Sequence, residues 1–256
     1  MGLEMLLHRA YPWHRFPSTK PERSIMSDPY DPNFEPPFNK LPVVVVVLFL
    51  IMAGVELALA AGAAGFVGGP SAIGWRLALV RDWGFSGDIF DAMLAQGNWS
   101  WNNLARFITY PFIHLGFTHA LIASVLMLAL GKMAAEVMGQ FAMLALFVVS
   151  GIGGALAYAL LLNDPVWLVG SYPAVYGLIG GYSFLLWRKL AATGGQQLRA
   201  FSLIAMLMGL QLVWSLFATV GNGWVAELAG FITGFALSFL CAPGEWARIL
   251  NRLRQR

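Results

Sequence analysis

Few side chains able to do chemistry interrupt the apolar stretches of this 256-residue chain: Glu56, His114, His119, Ser171, Tyr172 and Glu227. A charged group at membrane depth costs roughly 2.5–3.5 kcal/mol, so each needs a reason for being there. Such a group can serve catalysis, ion movement or ligand binding; equally, it can be neutral or bonded across helices and fix packing. Residue type leaves both readings open for the buried charge expected at Glu56 and for Glu227. Acyl transfer needs an activated oxygen, a base and donors for the developing oxyanion. Tyr172 is a phenol, with an ordinary pKa of about 10, and Glu227 is a carboxylate that does not readily shuttle protons at neutral pH. Together they supply neither oxygen nor base well. Ser171 offers a hydroxyl one position away, but one residue rotates a helical side chain by roughly 100°, and the last apolar run holds no histidine for it. His114 and His119 stand five apart, off the i, i+4 spacing that brings side chains to one helix face, so no metal site is expected from them.

Glycines tell which runs should meet. Gly177, Gly180 and Gly181 on one run, with Gly230 and Gly234 on another, let helix backbones approach closely in lipid. These two runs are therefore predicted to pack face to face, which brings Tyr172 and Glu227 to similar depth. Pro173 suits the first turn of a helix opening at Tyr172. The Tyr172 hydroxyl is then expected to donate to Glu227 at roughly 2.5–3.0 Å, a packing contact across the two runs.

The elements carrying these residues follow from composition. Of the chain, 58% is hydrophobic and 11% charged, against about 25% charged in soluble domains. Apolar runs fall at 41–66, 117–135, 141–162, 172–187, 201–218 and 225–241, each near the roughly 20 residues that span a bilayer. The expected fold is all-α, a polytopic bundle of six transmembrane helices over residues 41–242. The fourth run is shortest, as suits a helix starting below the membrane surface. A long interfacial loop, 66–113, carries two amphipathic pieces at 72–83 and 87–94 together with Trp75, Trp83, Trp99 and Trp101, residues that favour the membrane–water boundary. Residues 1–40 read as a proline-rich cytoplasmic arm rather than a cleavable leader, and 243–256 as a basic cytoplasmic tail.

Charge sets the orientation. Of 16 lysines and arginines, the outside loops keep only Arg76, Arg81 and Arg106, so both termini are expected in the cytoplasm. Topology accounts for the basic residues, and nucleic acid is not an expected partner. Cys241 stands alone, which rules out a disulfide within the chain. No cofactor is expected, and no internal repeat points to a transporter.

Arg106-Phe107-Ile108-Thr109, then His114 and His119, then residues 170–177 (Gly-Ser-Tyr-Pro-Ala-Val-Tyr-Gly) and 226–234 (Ala-Glu-Leu-Ala-Gly-Phe-Ile-Thr-Gly) follow one another in a distinctive order. Over about residues 100–241 this pattern resembles the rhomboid family of intramembrane serine proteases, in its basic six-helix bacterial form; the first span and interfacial loop agree in layout. The resemblance implies a bacterial inner-membrane protein and retains Arg106, His114, His119, Gly170, Gly177, Gly230 and Gly234. It also implies losses. The nucleophilic serine falls on Tyr172 and the glycine after it on Pro173. The catalytic histidine falls on Glu227, and the asparagine that helps bind the oxyanion falls on Ala123. The tryptophan before the arginine is Ala105, and the family's glutamate turn lies near Glu136, one place late, with Gly139 in register.

The expectation is therefore a catalytically dead rhomboid, a pseudoprotease whose partners are integral membrane proteins or transmembrane helices in the lipid bilayer. It would act as an assembly factor or accessory subunit of a membrane complex. The alternatives are an active intramembrane serine endopeptidase with an unconventional site, and a proton-linked transporter using Glu56 and Glu227.

Overall fold

The computed structural model describes residues 40–162, 164–217 and 221–243. The proline-rich arm and the basic tail expected from the sequence lie outside the described residues, save for Lys40 and Pro243 at their edges.

Helix α1 (Val43–Ala63) opens on five consecutive valines, a run that favours strand in water. In hydrocarbon every backbone group must be satisfied within the segment, and helix is the form that does this locally. The Val46 amide bonds back to the Pro42 carbonyl at the start. At the other end Gly65, at φ +78°, turns the chain and lets the Phe66 amide reach the Ala61 carbonyl.

The connection after α1 is more structured than its sequence suggests. A 3-10 turn (Gly69–Gly74) leads into α2 (Trp75–Trp83), α3 (Gly87–Gln96) and α4 (Trp101–Thr109), closed by a second 3-10 turn (Tyr110–Phe112). Helix α4 was not anticipated. It is short and polar on one side, and its place is decided by Phe107, which packs on Phe85 (centroids 4.8 Å apart) and Phe90. Phe85 also exchanges two backbone hydrogen bonds with Leu168, pinning this layer to the segment that enters the central helix.

Among the described residues, five segments are long and apolar enough to cross a membrane: α1, α5 (Phe117–Met138), α6 (Gln140–Leu161), the 3-10 turn at 197–201 continued as α8 (Ser202–Ser215), and α9 (Gly223–Cys241). The fourth predicted run is α7 (Tyr172–Ala192), which is long enough but less apolar, with three glycines, Ser183, Arg188 and Lys189. Its surroundings explain the difference. Helix α7 lies at the centre of the bundle, against α9, α6 and α5, so protein rather than lipid encloses most of it.

The glycine seam places α7 on α9. A methyl group on Gly234 would overlap the Gly177 carbonyl, and one on Gly230 would overlap the Pro173 carbonyl. The obstructing atoms are backbone, so the helices themselves would have to part. Overpacking of this kind costs about 1–3 kcal/mol, occasionally more. Gly234→Ala is expected to lose stability in that range in a detergent unfolding titration. Gly209→Ala on α8, where the added carbon meets nothing within 4 Å, should not destabilise the protein. Equal behaviour of the two variants would sink the seam argument.

Candidate functional site

Helices α5, α7 and α9 all begin at the same end of the bundle, and the family-like residues gather there. Gly170 makes the approach possible. It sits at φ +98°, its amide donates to the Tyr110 carbonyl at 3.0 Å, and a Cβ would stand 2.7 Å from Cε1 of His119. Both the backbone conformation and the close imidazole exclude a side chain here. Ser171 follows as the residue capping α7, its carbonyl accepting the Val175 amide. Pro173 enters the first turn, where its missing N–H costs nothing.

Tyr172 turns towards α5. Its ring stacks on His119, with centroids 4.9 Å apart and planes 19° from parallel. The His119 Nδ1 accepts the Leu115 amide at 3.3 Å, which holds the imidazole in place beneath the phenol ring.

The hydrogen bond expected from Tyr172 to Glu227 does not form. Glu227 accepts instead from Nε2 of Gln211 on α8, beside the hydroxyl of Tyr176, one turn further along α7. Tyr172 and Tyr176 share a face of α7 at i, i+4 spacing, so either could meet α9; the docking depth sets Glu227 level with the second. The Tyr176 hydroxyl also lies 3.4 Å from Gln211 Nε2. Three helices thus contribute to one polar cluster.

His114 and His119 meet despite their spacing, edge to face at 5.3 Å. The helical argument fails because residue 114 precedes α5, and the chain between is extended at Gly116. His114 is fully enclosed, and its Nε2 lies 3.5 Å from the equally enclosed Ser171 Oγ. The histidine that the last helix does not supply therefore comes from the α4–α5 connection. Burial foremost, and then His119 nearby, push the His114 imidazole down to about 4. At neutral pH it is uncharged and a weak base.

Ala123 is fully buried among Ala174, Val175 and Met127, with no polar atom to offer. Arg106 acts as a strut: one of its guanidinium nitrogens donates to the carbonyls of Arg81 (2.9 Å) and Gly84 (2.8 Å) where α2 ends, and the group lies 5.8 Å from the Trp167 ring. Gly177, Gly230 and Gly234 line the α7–α9 seam. Glu56 is 3% exposed and held bidentately by Arg76, both contacts at 2.8 Å; the same arginine also donates to the His114 carbonyl.

Three site residues went unnoticed in the sequence. Gln211 had a signal, as a lone amide in an apolar run. Tyr176 had a weaker one, as the i+4 neighbour of Tyr172. Arg76 had none, because nothing local couples a loop arginine to a glutamate 20 positions earlier.

A family profile for the rhomboid domain matches residues 101–244. The chain is similar to "Putative rhomboid protease YdcA" of Bacillus subtilis (strain 168), with 29% identity over 155 residues that cover 60% of this chain and 73% of that protein. It is also similar to "RHOMBOID-like protein 4" of Arabidopsis thaliana, with 26% identity over 147 residues, 57% of this chain and 35% of the plant protein. This second match thus spans only about a third of the relative's length.

Proposed function

This chain belongs to the rhomboid family, and on that premise we propose that it is a member without proteolytic chemistry, a pseudoprotease that binds other transmembrane segments. Its work would be the assembly or support of a membrane complex. The observation that carries this reading is the fate of the nucleophile position. Tyr172 lies flat on His119, where an attacking oxygen and a scissile bond would need room. Glu227, at the position of the base, has its carboxylate engaged by Gln211. Ala123 supplies no oxyanion donor.

One geometric fact favours a second reading, an active hydrolase with a shifted pair: Ser171 Oγ and His114 Nε2 are 3.5 Å apart. Against it, both side chains are fully enclosed, and a base held near 4 takes up few protons at neutral pH. Fluorophosphonate probes separate the two readings. The pseudoprotease should not label and should not cleave model transmembrane substrates. Labelling that vanishes in Ser171→Ala would replace this reading with the shifted pair.

The topology that goes with the proposal has six membrane helices, α7 included, with both termini in the cytoplasm of a bacterial inner-membrane protein. It rests on the five apolar segments, on the central α7 and on the basic-residue asymmetry. A reporter enzyme fused after Arg256 is expected to be active on the cytoplasmic side; extracytoplasmic activity would reverse the arrangement.

A further inference from the structure

At the end of the bundle opposite Tyr172, the chain leaves α7 through a turn at Gly194, φ +71°, and the Gly195 amide bonds back to the Leu190 carbonyl. The 3-10 turn Gln197–Phe201 then lies against α7. Trp187, Gln196, Gln197, Leu198 and Phe201 line a cavity of about 530 Å³ there, within the roughly 300–1,000 Å³ of ligand-sized sites. Two of its walls are braced from behind. Trp187 and Phe201 both pack on Phe235 of α9, with ring centroids 6.1 and 5.5 Å away, and the fully buried Ala200 anchors the turn beside Phe201. The rest of the lining is softer: Gln196 and Gln197 bring amides, and Leu198 is 84% exposed.

The charge around this cavity has one sign. No aspartate or glutamate occurs from residue 165 to 226, and the basic residues of that stretch, Arg188, Lys189 and Arg199, all fall at this end. Arg199 is tied to the cavity directly. Its Nε donates to Oε1 of the lining Gln196 at 3.2 Å, which uses one of the five N–H groups of a guanidinium. Lys189 is exposed in the last turn of α7 and enters no ion pair among the described residues. Topology accounts for cations at the end of a span, but not for a cavity with braced aromatic walls and amides beside them. Apolar walls, hydrogen-bonding amides and a positive surround together match an amphiphile with an anionic head. An ammonium head would find no carboxylate in this stretch and would face Arg199.

We propose that the cavity between the end of α7 and the start of α8 binds one anionic phospholipid. The Arg199 guanidinium would donate to its phosphate, Gln196 and Gln197 would bond its headgroup hydroxyls, and an acyl chain would lie along Trp187, Leu198 and Phe201. Lys189 adds to the local field without touching the lipid. A free phosphate ion would leave the apolar walls unused, which is why the occupant is a lipid. In the topology proposed above this lipid belongs to the cytoplasmic leaflet. Its binding depends neither on that topology nor on the loss of proteolytic chemistry.

Native mass spectrometry of the full chain in detergent tests this, by titration with phosphatidylglycerol or with phosphatidylcholine of the same acyl chains. One cationic contact predicts about fivefold tighter binding of the first phosphatidylglycerol. Arg199→Gln should bring that ratio below about twofold. Gln197→Trp, which fills the cavity and keeps both cations, should do the same. Lys132→Gln removes a cation near the same end of the bundle, on α5, and should leave the ratio unchanged. Equal affinity for the two lipids, or a ratio untouched by either Arg199→Gln or Gln197→Trp, overturns the proposal. An equal loss in Lys132→Gln would make the preference a matter of total charge and overturns it as well. Displacement of the lipid by equimolar glycerol phosphate would reassign the cavity to a soluble anion.

Discussion

Restoring a serine and a histidine, by Tyr172→Ser with Glu227→His, is expected to leave hydrolysis of a transmembrane substrate below detection. The donor set is incomplete, because Ala123 has no side-chain donor for a developing oxyanion, and one such donor is worth about a hundred- to thousandfold in rate. Pro173 removes backbone freedom beside the new serine. It is wedged where a Cβ on Gly154 would lie 2.7 Å from its own Cβ and where Gly230 crosses its carbonyl, so the turn cannot relax towards an attacking geometry. The new histidine would inherit the partner of Glu227, which is Gln211 rather than residue 172. Removing the Tyr172 ring would also uncover His119 and leave a hole above it. Activity should emerge only when Ala123→Asn and Pro173→Gly are added, and weakly, because Ala123 is fully enclosed and a larger side chain must displace Ala174 or Val175. Strong cleavage by the double variant alone would mean that the site is still preorganised, and that the proposed loss of chemistry is shallow.

The largest stability effect is expected from Arg76→Leu. Without the guanidinium, Glu56 is left as an unpaired charge at 3% exposure inside α1, and the His114 carbonyl loses a donor at the same time. Breaking a buried pair from one side costs about 3–5 kcal/mol, because the remaining charge has no compensation. Removing both charges, as Glu56→Leu with Arg76→Leu, should recover most of that loss, since an apolar replacement of a buried pair is often close to neutral. Detergent unfolding titrations of the two single variants and the double give the coupling directly. The arginine ties α1 and α2 to the connection that carries His114, so Arg76→Leu should also loosen the Ser171–His114 contact. A cost below about 1 kcal/mol would place this pair with solvent-screened surface bridges and remove it as the anchor of the interfacial layer.

Part of this architecture is legible in the chain alone. Membrane-helix length is a local property of apolar runs, so α1, α5, α6, α8 and α9 could be placed from composition. The α7–α9 seam was legible because only glycine permits the crossing of Gly177 with Gly234 and of Pro173 with Gly230, and glycine spacing is written in the sequence. The family pattern was legible for the same reason: Gly170 must be glycine to bend at positive φ against His119. Helix α4 escaped notice because its position comes from Phe107 packing on Phe85 and Phe90, a contact between segments rather than a periodicity within one.

The sequence by itself determined which residues share a helix, which helices can touch, and which reactive types stand in the pattern that resembles the family's motifs. Only the tertiary structure decided which side chains meet. It paired Glu227 with Gln211 rather than with Tyr172, set Ser171 beside His114, stacked Tyr172 on His119, and closed Glu56 with Arg76. Helical periodicity settles a residue's face, but the depth at which two helices dock, and the path of a loop between them, depend on rigid-body packing of the whole bundle. A shift of one turn, about 5.4 Å, exchanges Tyr172 for Tyr176 without changing a single local preference.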